Sequence, residues 1–352
     1  MRRVNLNFSN IIETTDYYWI FERLSNCICQ LSKDFNEIKY ICHVDDNYFK
    51  NEKFIQDIYL QNDCILLFYQ NSRDVIIYNI KSMSFEICEC PDKSECRMHQ
   101  VVEHNNKFYY IPQDIKDFFW EFDYITLKFK TYEGYTLSEQ NSFYSPYFYK
   151  DNDTLFFCAK AECVTLDLNS FLFREVLFLE NADFLSVCVN DNCIWLTQRN
   201  SFEMVRFFDK TVEKYLLSSD KGIVEPFSTM GIWDDKVVVL PRHNANLFIF
   251  DSKTKETAKI PVYSGSRKEG EPSFAYRWIK NENSLYLLPT NGSNIIALDK
   301  RTNSIQYIET YCDFVKMSLD KANSIVYEND KNDFLDFINT ILSREGSIND
   351  NN

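Results

Sequence analysis

Glycine is scarce in this chain: seven occur in 352 residues, and no two are adjacent. The sequence holds no glycine-rich phosphate loop, and it also lacks a G-x-S-x-G elbow, an H-E-x-x-H pair and an acidic calcium loop. Histidine is scarcer still, at four residues, so little imidazole is on hand for metal binding or acid–base chemistry. No run approaches the roughly 20 apolar residues needed to span a bilayer. The start, MRRVNLNFSN, has basic residues but no apolar stretch behind them, so no export signal is expected. Positive charge is in deficit as well. Lys and Arg total 38 against 52 Asp and Glu, a net charge of −14 whose field repels phosphate backbones and anionic headgroups. Neither a nucleic-acid nor a membrane partner is expected.

Twelve cysteines are present. Without an export signal they read as reduced, buried small hydrophobes, and a cytoplasmic location is expected. Cys88, Cys90, Cys96 and His99 invite a metal test, because alternation along a strand puts Cys88 and Cys90 on one face. Structural zinc sites usually present ligands two to four residues apart in pairs, and C-x-C recurs at Cys27 and Cys29 without partners. No metal and no cofactor are expected.

What the chain does have is packing material: 45% hydrophobic residues and 16% aromatic, favouring packed β-structure. It also has a repeat. DDKVVVLPRHNANLFIFDSKTKE from Asp234 and ENSLYLLPTNGSNIIALDKRTNS from Glu282 match feature for feature at an offset of 48 residues. In each, a polar turn leads to an apolar strand ending in Pro (Pro241, Pro289), and a polar loop closes on Asn (Asn246, Asn294). A second strand then ends in Asp (Asp251, Asp299), with Thr three residues on (Thr254, Thr302). The unit recurs from Asn62, Asn105, Asn152 and Asn190, and in weaker form from Asp16, giving seven copies whose starts lie 38 to 48 residues apart. Short strands and polar turns at such a period predict propeller blades, one small antiparallel sheet per repeat. Segments such as PFSTMGIW from Pro226 and SFAYRWI from Ser273 supply an inner strand, and TAKIPVY from Thr257 an outer one.

The expected fold is therefore all-β: a single closed β-propeller of about seven four-stranded blades, with six or eight as the alternatives. It should span residues 1–330, followed by a short C-terminal helix at 331–343 and a flexible tail at 344–352. The pair in Asp313 to Asp330 either completes the first blade or forms part of an eighth. Asn332 to Leu342 carries Phe334, Leu335, Phe337, Ile338 and Ile341 at helical spacing, suited to capping the propeller underside or docking a partner.

The repeats resemble those of kelch-type propellers and their bacterial relatives, in which a strand, a polar loop, a strand ending in Asp and a Thr-bearing turn recur in every blade. The likeness spans nearly the whole chain but is architectural, because the kelch double glycine is absent. Trp233–Asp234 is a WD dipeptide in a turn position, and no GH accompanies each repeat, so a WD40 assignment is not supported. The resemblance implies a rigid disc with a central channel and one loop-rich binding face; it does not imply an activity.

That face should carry the loops between second and third strands together with the connections between blades. It places Arg23, Gln70, Asn71, Arg73, Gln113, Asp114, Arg199, Arg242, His243, Asn244 and Asn291 there, several cations in an acidic chain. Converging on a channel mouth, they would bind an anionic or sugar-like ligand through planar guanidinium groups; scattered, they are turn formers and solvated loop residues. His243 beside Arg242 is the one histidine placed to act as a base. Arg277, between Tyr276 and Trp278, would lie on an inner strand, either clamping a ligand or sealing the bore through an ion pair. Phe118, Trp120 and Phe122 alternate as strand core residues, while FFWEFDY as a whole also offers interface anchors. The leading expectation is a non-catalytic cytoplasmic module that binds a protein or peptide on its loop face. The alternative is a small-ligand or carbohydrate-binding protein or enzyme with its site at the channel mouth, since propeller enzymes assemble sites from residues of many blades without a local motif.

Overall fold

The computed structural model describes residues 2–3, 8–23, 26–44, 55–92, 98–135, 148–220, 223, 225–243, 246–262, 277–281, 283–288 and 294–312. These residues form seven antiparallel sheets that pack as the blades of one propeller. The first blade is Phe8–Glu13, Tyr17–Glu22, Cys27–Ser32 and Glu37–His43. The second is Ile55–Gln61, Cys64–Tyr69, Val75–Asn79 and Ser84–Cys88, and the third Met98–His104, Lys107–Pro112, Phe119–Asp123 and Lys128–Tyr132. The fourth is Phe148–Asp151, Thr154–Ala159, Glu162–Asp167 and Leu172–Phe178, and the fifth Phe184–Asn190, Cys193–Gln198, Glu203–Phe208 and Thr211–Leu216. The sixth is Phe227–Trp233, Lys236–Pro241, Asn246–Asp251 and Thr257–Pro261, and the seventh Arg277–Lys280, Ser284–Leu288, Asn294–Asp299 and Ile305–Glu309.

Because glycine is rare, asparagine and aspartate take the left-handed backbone that tight hairpins need. Asn105–Asn106, Asp191–Asn192 and Asp234–Asp235 each hold both turn residues at positive φ. The turns between third and fourth strands explain the recurring Asp and Thr. Asp251 Oδ1 accepts from the amides of Lys253 and Thr254 at 2.9 and 3.2 Å, and Asp299 Oδ1 from Arg301 and Thr302 at 3.0 and 2.8 Å. Asn79, Asp123 and Asp167 repeat the arrangement. In each case a side-chain oxygen replaces a backbone acceptor and fixes the turn.

Second and third strands are buried on both faces, as their continuous apolar runs require; Ile65 to Tyr69 and Phe119 to Phe122 are wholly interior. Each gap between neighbouring blades holds its own apolar cluster, and the cluster joining seventh to first shows that the ring is closed. There, Phe35 meets Tyr286 at a centroid distance of 4.6 Å, and Thr310 Oγ1 donates to the Phe35 carbonyl at 2.9 Å. First strands lie innermost and are tied to one another. Asn10 bonds both backbone groups of Ile58, and Asp57 accepts from the Val101 amide at 2.6 Å.

The first blade draws four strands from residues 8–43, and the chain adds Tyr311–Cys312 in parallel to the outer strand Glu37–His43, with Arg2–Arg3 antiparallel beyond it. One expectation is corrected here. Phe118, expected as strand core, precedes its strand and is 60% exposed, because the hairpin register begins the strand at Phe119. Residues 313–352, with the expected strand pair and helix, lie outside the described residues. Among those described, no helix is long and apolar enough to cross a membrane.

Candidate functional site

Antiparallel order within each blade puts the loop between second and third strands at the same end as the connection to the next blade. Among the described residues, the loop face is thus built from 23, 26, 70–74, 113–118, 160–161, 199–202 and 242–243, together with the described parts of the inter-blade connections. The predicted arginines are on this face, and each described guanidinium is turned toward a neighbouring connection.

Arg23 reaches the start of the second blade, donating from Nε to the Ile55 carbonyl at 3.0 Å and from Nη2 to that of Gln56 at 3.2 Å. Arg73 is buried, its guanidinium 3.9 Å above the Trp120 ring of the third blade and 3.6 Å from Asp92 in the connection between them. In the same loop, Asp74 Oδ1 accepts from the Cys90 amide at 2.8 Å. Arg199 pairs through Nε with Asp183 at 3.3 Å and through Nη1 with Glu225, and Arg242 Nη1 reaches the other oxygen of Glu225 at 2.9 Å. One carboxylate therefore joins two arginines from adjacent blades. Backbone bonds reinforce the join: the Glu225 amide donates to the Arg199 carbonyl at 2.7 Å, and the Arg242 amide to that of Pro226 at 2.9 Å.

These contacts make the loop cations latches between blades. Arg199 and Arg242 converge, as a ligand site requires, but on a carboxylate of the same chain. Arg23 and Arg73 lie in other blades with partners of their own. Gln113 is half-buried and His243 is exposed. Arg277 begins the inner strand of the seventh blade, pairing in register with Leu288, but its side chain, like Asn244 and Asn291, falls outside what is described. Its neighbour Trp278 packs over Gly231 of the sixth blade, where any β-carbon would overlap the indole.

What faces solvent at this end is of a different kind. Phe118, Phe178 and Leu216, at the loop ends of the third, fourth and fifth blades, are 60%, 52% and 68% exposed. Beside Phe118, burial and the nearby charge of Asp114 push the Asp117 carboxyl above its ordinary range. The residues missed in the sequence were the acidic halves of the latches, Asp92, Asp183 and Glu225. Nothing local distinguishes them from other loop carboxylates.

Seven of the ten described cysteines are buried, and Cys42, Cys64 and Cys88 are half-buried. Cys158, Cys163 and Cys188 lie in the cluster region of the fourth and fifth blades, and burial pushes all three thiols up, Cys163 to about 12. The ten described cysteines are free thiols, and no group of three metal-ligating side chains occurs among the described residues. Cys96 and the His99 side chain lie outside them.

No protein-family model matches the chain, nor does any curated protein sequence. Solved structures do match in fold. YCF48 bound to D1 peptide aligns with a TM-score of 0.61 at 8% identity, covering 87% of this chain and 94% of that one. Virginiamycin B lyase from Staphylococcus aureus aligns at 0.59 and 12% identity, covering 82% and 95%. BamB from Moraxella catarrhalis aligns at 0.52 and 11%, covering 84% and 85%. At such identities the likeness is one of fold: these are propellers, and so is this chain.

Proposed function

We propose that this protein is a non-catalytic, cytoplasmic propeller that holds a protein or peptide partner on its loop face. The observation that carries this reading is the division of labour on that face. The described arginines suited to an anionic ligand are occupied by latch contacts, while Phe118, Phe178 and Leu216 are left to solvent. Exposed aromatic and aliphatic side chains on a rigid rim are the material of interface anchors. The likeness to a propeller whose structure holds a bound peptide supports the same reading, and the ten described free thiols, in the first, second, fourth and fifth blades, support a reducing compartment. The kelch-like character of the repeats is proposed as an architectural kinship.

The test is affinity purification of the tagged full-length chain from its native cells, beside a Phe118→Asp, Leu216→Asp variant with unchanged melting temperature. A stoichiometric partner retained by the wild type and lost from the variant is the expected result. Retention by both would move the interface off this face. Absence of any partner would favour the second reading, a small anionic or sugar-like ligand at the channel mouth.

A further inference from the structure

The opposite end of the ring, where the turns between third and fourth strands project, is uneven around its circumference. In the sixth and seventh blades these turns are polar, with Lys253 and Lys255, then Arg301 and Asn303, at the second and fourth positions after the turn aspartate. The third blade places Ile125 and Leu127 there, and the second has Met83 at the fourth position. Ile125 is 74% exposed and Met83 64%. Leu172 of the fourth blade is exposed beside them. Met83 and Leu127 both have φ of 54°, a backbone that disfavours a large side chain, so these apolar groups are displayed against local preference. Contacts join the three blades near these tips: Cys88 of the second blade donates to the Leu127 carbonyl at 3.6 Å, and Phe171 of the fourth stacks on Tyr132 of the third. Lys128 and Lys130 flank it, both exposed and in no ion pair among the described residues.

We propose that this basic, apolar set of turn tips on the second to fourth blades receives residues 332–342 of the same chain. The charge matches. That segment carries Asp333 and Asp336, no basic residue, and the apolar positions Phe334, Leu335, Phe337, Ile338 and Ile341 at helical spacing. The connection reaches. The described chain ends at Cys312 on the outer edge of the first blade, next to the second. Residues 313–331 can extend about 60 Å, more than the roughly 50 Å width expected of a body this size.

The experiment uses the full-length chain, dilute and monomeric, with a photo-crosslinking amino acid at position 125. Intrachain crosslinks to 332–342 are expected. Crosslinks elsewhere in the chain, to a second copy or another protein, or none at all, would overturn the proposal. Hydrogen exchange gives an independent readout. Amides of 332–342 should be protected in the wild type and lose at least tenfold of that protection in Ile125→Asp, Leu127→Asp, with blade amides unchanged; equal exchange in the two proteins would overturn it. Should that variant fail to fold, Lys128→Glu, Lys130→Glu tests the charge match, with an expected threefold fall in crosslink yield and an unchanged yield counting against it.

Discussion

Glu225 holds Arg242 at 2.9 Å with one carboxylate oxygen while its other oxygen holds Arg199, so a single side chain fastens the fifth blade to the sixth. Glu225→Gln keeps the shape and removes the charge. A loss of about 1–3 kcal/mol is expected, toward the lower end because Arg242 is partly solvated. A urea titration measures it. With Glu225 neutral, Arg242 and Arg199, the latter still paired with Asp183, should also gain affinity for sulfate, so that sulfate raises the melting temperature of the variant more than that of the wild type.

Phe171 and Lys255 occupy equivalent turn positions at positive φ, 56° and 65°. Phe171 stacks on Tyr132 at 3.7 Å and meets Phe119 at 5.7 Å, whereas Lys255 donates to the Tyr215 hydroxyl at 2.9 Å from a solvent-exposed position. Glycine relieves the backbone at both sites. Lys255→Gly should therefore raise stability by about 0.5–1 kcal/mol, and Phe171→Gly should lower it by about 2–4 kcal/mol. Opposite signs in paired thermal melts are the expected outcome.

Gly231 lies under the Trp278 indole with no room for a side chain. Gly231→Ala should cost about 1–3 kcal/mol through overpacking and shift Trp278 outward. A red shift in tryptophan emission, absent from Gly231→Ala, Trp278→Phe, would locate the disturbance at this contact.

Burial raises the Cys42 thiol to about 11 and the Cys163 thiol to about 12. An unfolded thiol titrates near 8.5, so above that pH the unfolded chain has lost protons that the folded chain keeps. Their contribution to stability is whole below about pH 8.5 and falls as pH rises toward 11–12, by up to about 1.4 kcal/mol per unit for each group. Tyr18 and Tyr149, both raised to about 12, add to the fall above pH 10. Denaturant midpoints from pH 8 to 10 should drop in the wild type and drop less in Cys42→Ala, Cys163→Ala.

Much of the fold was legible in the sequence because its signals are local. Asp251 and Asp299 followed by Thr254 and Thr302 marked turns whose hydrogen bonds span three residues. The expected strands around Pro241 and Asn246 stand where the repeat put them. Phe118 was misplaced because alternation alone does not say where a hairpin register begins.

The site was less legible. Arg23, Arg73, Arg199 and Arg242 were placed on the correct face by counting strands, yet their roles hung on residues that sequence distance does not rank. Glu225 is 26 positions from Arg199 and Asp183 is 16. Attraction between charges depends on separation in space, and any of the loop carboxylates was an equal candidate until the blades were set side by side.

The sequence by itself determined the blade architecture, the positions of most strands and the chemistry of the turns, since hydrophobic periodicity and side-chain-to-backbone bonds act within a few residues; that the blades number seven, not six or eight, was settled by the structure. Tertiary structure alone decided how the ring closes and that the loop arginines bind blades together, because both depend on which distant segments come into contact.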